Sequence, residues 1–194
     1  MIYNIIMKRF FCILSMLICA NICFASPEEL SKQAVAFYND GNNKKAMEML
    51  LQVNEKERTS QDWLLLGNIL ADNGEKSNAV FMYTKAIEKD KKCYKAYYNI
   101  ANYNIEKGQF NMAVENYKKA ARIKNDNAYI HYNLGCAYLK LGNLSSARSS
   151  FNKAIMYKSD VPEFHYNLAY VYKELKKDKL AKTYLANYNK LKQE

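Results

Sequence analysis

The sequence predicts an all-α chain arranged as a solenoid of about five helical hairpins, and three observations predict it. Residues 131–142 read HYNLGCAYLKLG and residues 165–176 read HYNLAYVYKELK, nearly the same letters thirty-four positions apart; a fixed period of this length marks a repeat architecture. Only two prolines and six glycines interrupt a composition rich in Ala, Leu, Lys, Glu, Met and Tyr, which favours helix. Within each period the apolar letters recur at helical spacing. With 194 residues, 49% apolar and 25% charged, the chain has the composition of a folded protein and the length to bury a sizeable core.

The elements follow in order. Lys8 and Arg9 precede an apolar run from Phe10 to Cys19 and a Cys23-Phe24-Ala25 tail, the layout of a secretory signal peptide over residues 1–25, with cleavage expected after Ala25. The apolar run is short of the roughly 20 residues that a membrane span needs, so an uncleaved anchor is the second reading. Residues 26–194 form the repeat domain, with units at about 27–59, 60–93, 94–127, 128–161 and 162–194. In the second unit Trp63, Leu66, Gly67 and Leu70 are followed by Gly74, Ala79, Tyr83 and Ala86. Stepping by thirty-four gives Tyr97, Ile100, Ala101, Asn104, Gly108, Ala113, Tyr117 and Ala120. The next step gives His131, Leu134, Gly135, Tyr138, Gly142, Ala147, Phe151 and Ala154, and the last runs from His165 through Leu168, Ala169, Tyr172, Lys176, Ala181 and Leu185. Leu30, Ala34, Phe37, Gly41, Ala46, Leu50 and Val53 form a looser first copy.

Counted from the first residue of a unit, positions 4, 7, 8 and 11 make one apolar stripe on a first helix, and positions 20, 24 and 27 do the same on a second. Gly74, Gly108 and Gly142 fall between the two, where a left-handed stop residue is required. Ser77, Asn111 and Ser145 are expected as N-caps of the second helices, and Pro27 and Pro162 suit the first turn of theirs. A hairpin of this size cannot bury its apolar face alone, so neighbours must stack.

These letters resemble the tetratricopeptide repeat, whose W-x2-L-G-x2-Y…A-x3-F signature the units follow across residues 27–194. The resemblance implies a right-handed α-solenoid and protein binding without catalysis. By analogy with exported members it implies an adaptor in envelope assembly or secretion, periplasmic or secreted. The usual inter-repeat proline is replaced by Lys91, Asn125 and Ser159. The family's clamp for chaperone C-terminal carboxylates is missing its wall lysines, which tyrosines and a leucine replace.

Catalytic or metal chemistry finds little footing, and neither a cofactor nor a metal is expected. His131 and His165 both occupy position 4, yet equivalent positions on stacked helices lie about 8–10 Å apart, too far to share one zinc with ligand bonds of about 2 Å. Each is expected to pack with a satisfied ring nitrogen. Three of the five cysteines fall in the leader, and Cys93 and Cys136 are separated by a whole unit, which disfavours a bridge. The formal charge of +10 drops by two once the leader is removed. On an exported protein the excess lysine serves solubility or an acidic partner, not nucleic acid.

The remaining face of each first helix carries the binding expectation. Position 5 reads Leu64, Tyr98, Tyr132 and Tyr166; position 9 reads Asn68, Asn102, Cys136 and Tyr170; position 2 adds Lys95 and Tyr129; and position 6 reads Asn99, Asn133 and Asn167. Carboxamides both donate and accept, and tyrosines give rigid contact area with a polar tip. This Tyr/Asn wall is therefore expected to hold an extended peptide or partner protein, although the same letters also belong to the family's consensus. Asn104 places an amide where an apolar residue normally packs, and must find a partner or destabilise the stack. Leu180, Tyr184, Leu185, Tyr188 and Leu191 leave an apolar face on the last helix, so self-association or docking through that helix is the alternative function. Membrane contact is expected only through an uncleaved signal or peripherally.

Overall fold

A computed structural model describes residues 25–193, so the leader expected over residues 1–25 lies, Ala25 apart, outside the described residues. Those residues form ten helices and no strand: α1 Pro27–Asn39, α2 Asn43–Gln52, α3 Ser60–Asp72, α4 Lys76–Lys89, α5 Tyr94–Glu106, α6 Phe110–Ile123, α7 Ala128–Lys140, α8 Leu144–Tyr157, α9 Pro162–Glu174 and α10 Asp178–Leu191. None is long and apolar enough to cross a membrane. The chain divides at Arg58 into two compact units.

The first unit is one hairpin. Ser26 caps α1 by accepting from the Glu29 amide, Pro27 occupies the first turn, the two helices pack on each other, and Leu30, Ala34, Ala46, Leu50 and Val53 are buried. The loop that follows α2 folds back, and Arg58 Nε donates to the Leu50 carbonyl at 3.2 Å.

The second unit holds four hairpins, and the second helix of each also packs against the first helix of the next. Such nearest-neighbour stacking makes it an α-solenoid. A capping box opens it: Thr59 Oγ1 and its amide both donate to Asp62 Oδ2, at 2.8 and 2.7 Å, while the Asp62 amide donates to Thr59 Oγ1. Asp62 is consequently buried without being orphaned.

Within a hairpin the turn is set by one backbone conformation. Gly142 adopts φ +71°; its amide donates to the Leu139 carbonyl and the Asn143 amide to that of Tyr138, both at 2.9 Å. This is the paired bonding of a Schellman stop. Asn143 then starts the next helix, its side chain accepting from the Ser146 amide. Gly74 and Gly108 repeat the left-handed turn, and in the last hairpin Lys176 carries it at φ 55°, a strained setting for a residue with a Cβ.

The expected N-caps Ser77, Asn111 and Ser145 are displaced by this geometry. The second helices begin at Lys76, Phe110 and Leu144, so these residues lie inside the first turn, and the cap positions belong to Glu75, Gln109 and Asn143. The physical reason is that the residue after each glycine completes the preceding helix and opens the next one at once. Ser77 instead sits 3.0 Å from the Tyr103 hydroxyl, across to α5.

Position 8 governs how closely the two helices of a hairpin approach. A Cβ added at Gly67 would stand 2.4 Å from the Tyr83 ring, and one at Gly135 would stand 2.6 Å from that of Phe151. The facing alanines Ala79, Ala113 and Ala147 are fully buried. Small residues on one helix therefore make room for a large ring on the other.

Candidate functional site

The first helices α3, α5, α7 and α9 present the Tyr/Asn positions. His131 and His165, one position before that face, behave as packing residues. His131 Nε2 meets the Asn125 carbonyl at 2.6 Å and His165 Nε2 that of Ser159 at 2.8 Å, so each ring pins the loop that enters its own helix. His131 stacks on Tyr157, and burial, with the nearby Lys153 charge adding, holds its pKa below the usual imidazole value. Cys93 is a buried free thiol; Cys136 is a free thiol whose pKa burial pushes up. Among the described residues no group of three His, Cys, Asp or Glu side chains is placed to hold a metal ion.

The asparagines form a ladder from helix to helix. Asn133 Nδ2 donates to the Tyr98 hydroxyl at 2.8 Å, and Asn167 Nδ2 to the Tyr132 hydroxyl at 2.9 Å. For Asn99 the equivalent position in the unit before holds Leu64, which has no hydroxyl, and Asn99 donates instead to Asn68 Oδ1 at 3.0 Å. Each bond joins position 6 of one unit to position 5 or 9 of the unit before. One amide N–H of each asparagine is thereby committed to its neighbour.

A second set of bonds joins the two helices of a hairpin. The Tyr83 hydroxyl donates to Asn68 Oδ1 at 3.1 Å, and the Tyr117 hydroxyl donates to Asn102 Oδ1. In the next hairpin the position of the tyrosine holds Phe151 and that of the asparagine holds Cys136. Donor and acceptor disappear together, as burial demands. Asn167 Nδ2 still lies 3.7 Å from Cys136 Sγ.

The wall thus sorts into two classes. Asn68, Asn99, Asn102, Asn133 and Asn167, with the hydroxyls of Tyr98 and Tyr132, carry the ladder. The Tyr132 ring stacks on Phe164 with centroids 4.7 Å apart, and burial, with Cys136 adding, pushes its phenol pKa up to about 12. Tyr129, Tyr166 and Tyr170 stand outward, each about half exposed, and Lys95 is exposed. Lys158 lies over the Tyr129 ring at 5.5 Å, and Tyr166 packs on Tyr188. Tyr166 and Tyr170 also line an open groove of about 430 Å³ between α9 and α10, together with Lys173, Lys182 and Leu185. The sequence showed both columns of letters; it did not show that the asparagine of one unit reaches the tyrosine of the unit before.

Comparison with known proteins agrees with this architecture. A family model described as "TPR repeat" matches residues 101–142 and 137–176, and one described as "Tetratricopeptide repeat" matches residues 63–93 and 162–194. Solved structures of MamA are similar in fold. A MamA double mutant of strain RS-1 aligns with a TM-score of 0.76 at 17% identity, covering 86% of this chain and 94% of that one. MamA from residue 41 onward of Desulfovibrio magneticus RS-1 gives 0.75 at 17% identity, covering 86% and 95%. MamA of strain AMB-1 gives 0.74 at 18% identity, covering 86% and 92%. No curated protein matches the chain.

Proposed function

Because this chain is a tetratricopeptide-repeat protein, and so has the fold of a protein-interaction scaffold, we propose that it holds an extended segment of a partner protein along the tyrosine-bearing face of α5, α7 and α9. The observation that carries this reading is the exposure of Tyr129, Tyr166 and Tyr170, 47%, 51% and 48%, with Tyr129 packed edge-on to Phe164 and Tyr166 on Tyr188, contacts that keep those two rings oriented. Large side chains of two torsions, held half out of the surface, lose little entropy on binding. The asparagine ladder fixes the spacing of this face, so Asn68, Asn99, Asn102, Asn133 and Asn167 act chiefly by positioning, while Lys95, Tyr98 and Tyr132 border the same surface. The scaffold reading carries no chemistry step. The letters of residues 1–25 favour export, hence a role in envelope assembly or secretion.

Peptides selected from a random library against the wild-type chain are expected to lose at least tenfold in affinity for a Tyr129→Ala, Tyr166→Ala, Tyr170→Ala triple variant. That variant's melting temperature checks that the stack persists, and binding equal to wild type would remove these tyrosines from the site.

A second reading rests on α10, in which no residue is buried while Leu180 and Leu185 are 41% and 42% exposed. Such a face suits self-association or docking on a larger assembly. Sedimentation across a hundredfold range of concentration is expected to show a dimer that Leu180→Glu with Leu185→Glu abolishes; a monomer throughout would leave only the scaffold reading.

A further inference from the structure

We propose that a second groove, between α6 and α8 and floored by α7, binds a phosphoryl group carried on a side chain of a partner protein. The groove measures about 510 Å³ and is walled by Lys118 and Arg122 from α6 and by Lys153, Ser146 and Ser149 from α8. Three cations and four hydroxyl-bearing residues, Ser146, Ser149, Ser150 and Tyr138, line it, and among the described residues no carboxylate does. None of the three cations is in an ion pair among the described residues. The floor is made by His131, Leu134 and Tyr138, a different face of α7 from the one that carries Tyr129, Tyr132 and Asn133.

The repeat supplies an internal control. One unit earlier, the positions of Lys118, Arg122, Ser146, Ser149 and Lys153 hold Thr84, Glu88, Met112, Glu115 and Lys119. That set is of mixed charge, and Lys119 is already engaged over the Tyr97 ring at 5.6 Å. One unit later the same positions hold Asn152, Met156, Leu180, Thr183 and Asn187, with no charge at all. The stack therefore does not need cations at these places, since it forms without them on either side. Residues that depart from the repeat and converge in one cavity answer to something outside the stack.

The donor set fits a phosphoryl group better than a carboxylate. A phosphomonoester brings about −1.5 to −2 charge and three acceptor oxygens, against one charge and two oxygens for a glutamate. Arg122 can bond two of those oxygens at once with its planar fork, and the lysines supply point charge. The site is separate from the tyrosine face, so its failure would leave the scaffold reading intact.

The test titrates the full chain with a capped phosphoserine tripeptide, its unphosphorylated serine form, its glutamate form, inorganic phosphate and phosphatidic acid vesicles, following backbone amide shifts in α6 and α8. Saturable shifts are expected with the phosphoserine tripeptide, none with serine, and at least tenfold weaker binding with glutamate. Raising salt should weaken binding. Arg122→Gln and Lys153→Gln should each cost at least tenfold at an unchanged melting temperature, whereas Lys182→Gln, outside this groove, should not. Absence of saturable shifts, binding unchanged in both variants, equal binding of the glutamate tripeptide, or occupation only by free phosphate or by vesicles would each overturn the proposal.

Discussion

Phe151→Ala is expected to destabilise the chain by about 3–5 kcal/mol, and Phe151→Tyr, which removes no atom, by about 1–3 kcal/mol. The first is a cavity effect: the ring is fully buried, and it packs against Gly135, Tyr132, Ala147 and Leu168 at the seam between the last two hairpins. The second isolates a hydrogen bond. At the same position in earlier hairpins Tyr83 and Tyr117 place their hydroxyls on Asn68 and Asn102, whereas the hydroxyl added here would meet the Cys136 sulfur, a weak acceptor. Adding Cys136→Asn should therefore restore most of the loss. The introduced carbonyl would accept from the new hydroxyl, and also from Asn167, just as Asn68 accepts from both Tyr83 and Asn99. Urea denaturation of the two single variants and the double variant measures the coupling, expected at roughly 1–2 kcal/mol in favour of the pair. Additive changes would show that the two positions do not communicate.

This pairing shows what could be read from the letters alone. The hairpins, their period and the apolar stripe were legible because each is stated several times over: Trp63, Tyr97, His131 and His165 occupy one structural place, and so do Gly74, Gly108 and Gly142. One ring nitrogen of each histidine, Nε2, is satisfied as expected, by the carbonyls of Asn125 and Ser159, while Nδ1 of His165 is buried without a hydrogen-bond partner among the described residues. What was not legible is the direction in which a polar side chain points. Asn133 and Asn167 look identical whether their amides face a ligand or the neighbouring helix, and only the distances to Tyr98 and Tyr132 separate the two. A clue was present all the same: the unit with Leu64 in place of the tyrosine has Asn68 to receive Asn99. The N-caps were misplaced by two residues because the letters Ser77, Asn111 and Ser145 suit a cap, while the left-handed glycine closes one helix and restarts the next within a single residue. The outer basic groove went unseen since Lys118, Arg122 and Lys153 lie on two helices and scatter among other lysines in the sequence.

Asn104→Leu is expected to stabilise the chain by about 1–3 kcal/mol, an increase large enough to read directly in urea. Asn104 stands at the eleventh position of its unit, where the others carry Phe37, Leu70, Tyr138 and Tyr172, and it is 3% exposed. Its Nδ2 has no hydrogen-bond partner among the described residues. A buried amide N–H without an acceptor loses its bonds to water on folding and gains none in return. Leucine has the same number of side-chain heavy atoms and branches at the same carbon, with bulkier methyl ends, so it removes that loss and adds apolar burial on the stripe of the helix that also buries Ala101. The gain should appear as a higher urea midpoint with an unchanged slope, because no new surface is exposed in the unfolded chain. Asn104→Ala separates the two contributions: it removes the stranded amide but leaves a void, and should fall below leucine by the cavity cost. If leucine instead lowered stability, the amide would have to be bonded in solution, through water or a shift of α5, and the middle of the stack would be tighter than its letters suggest.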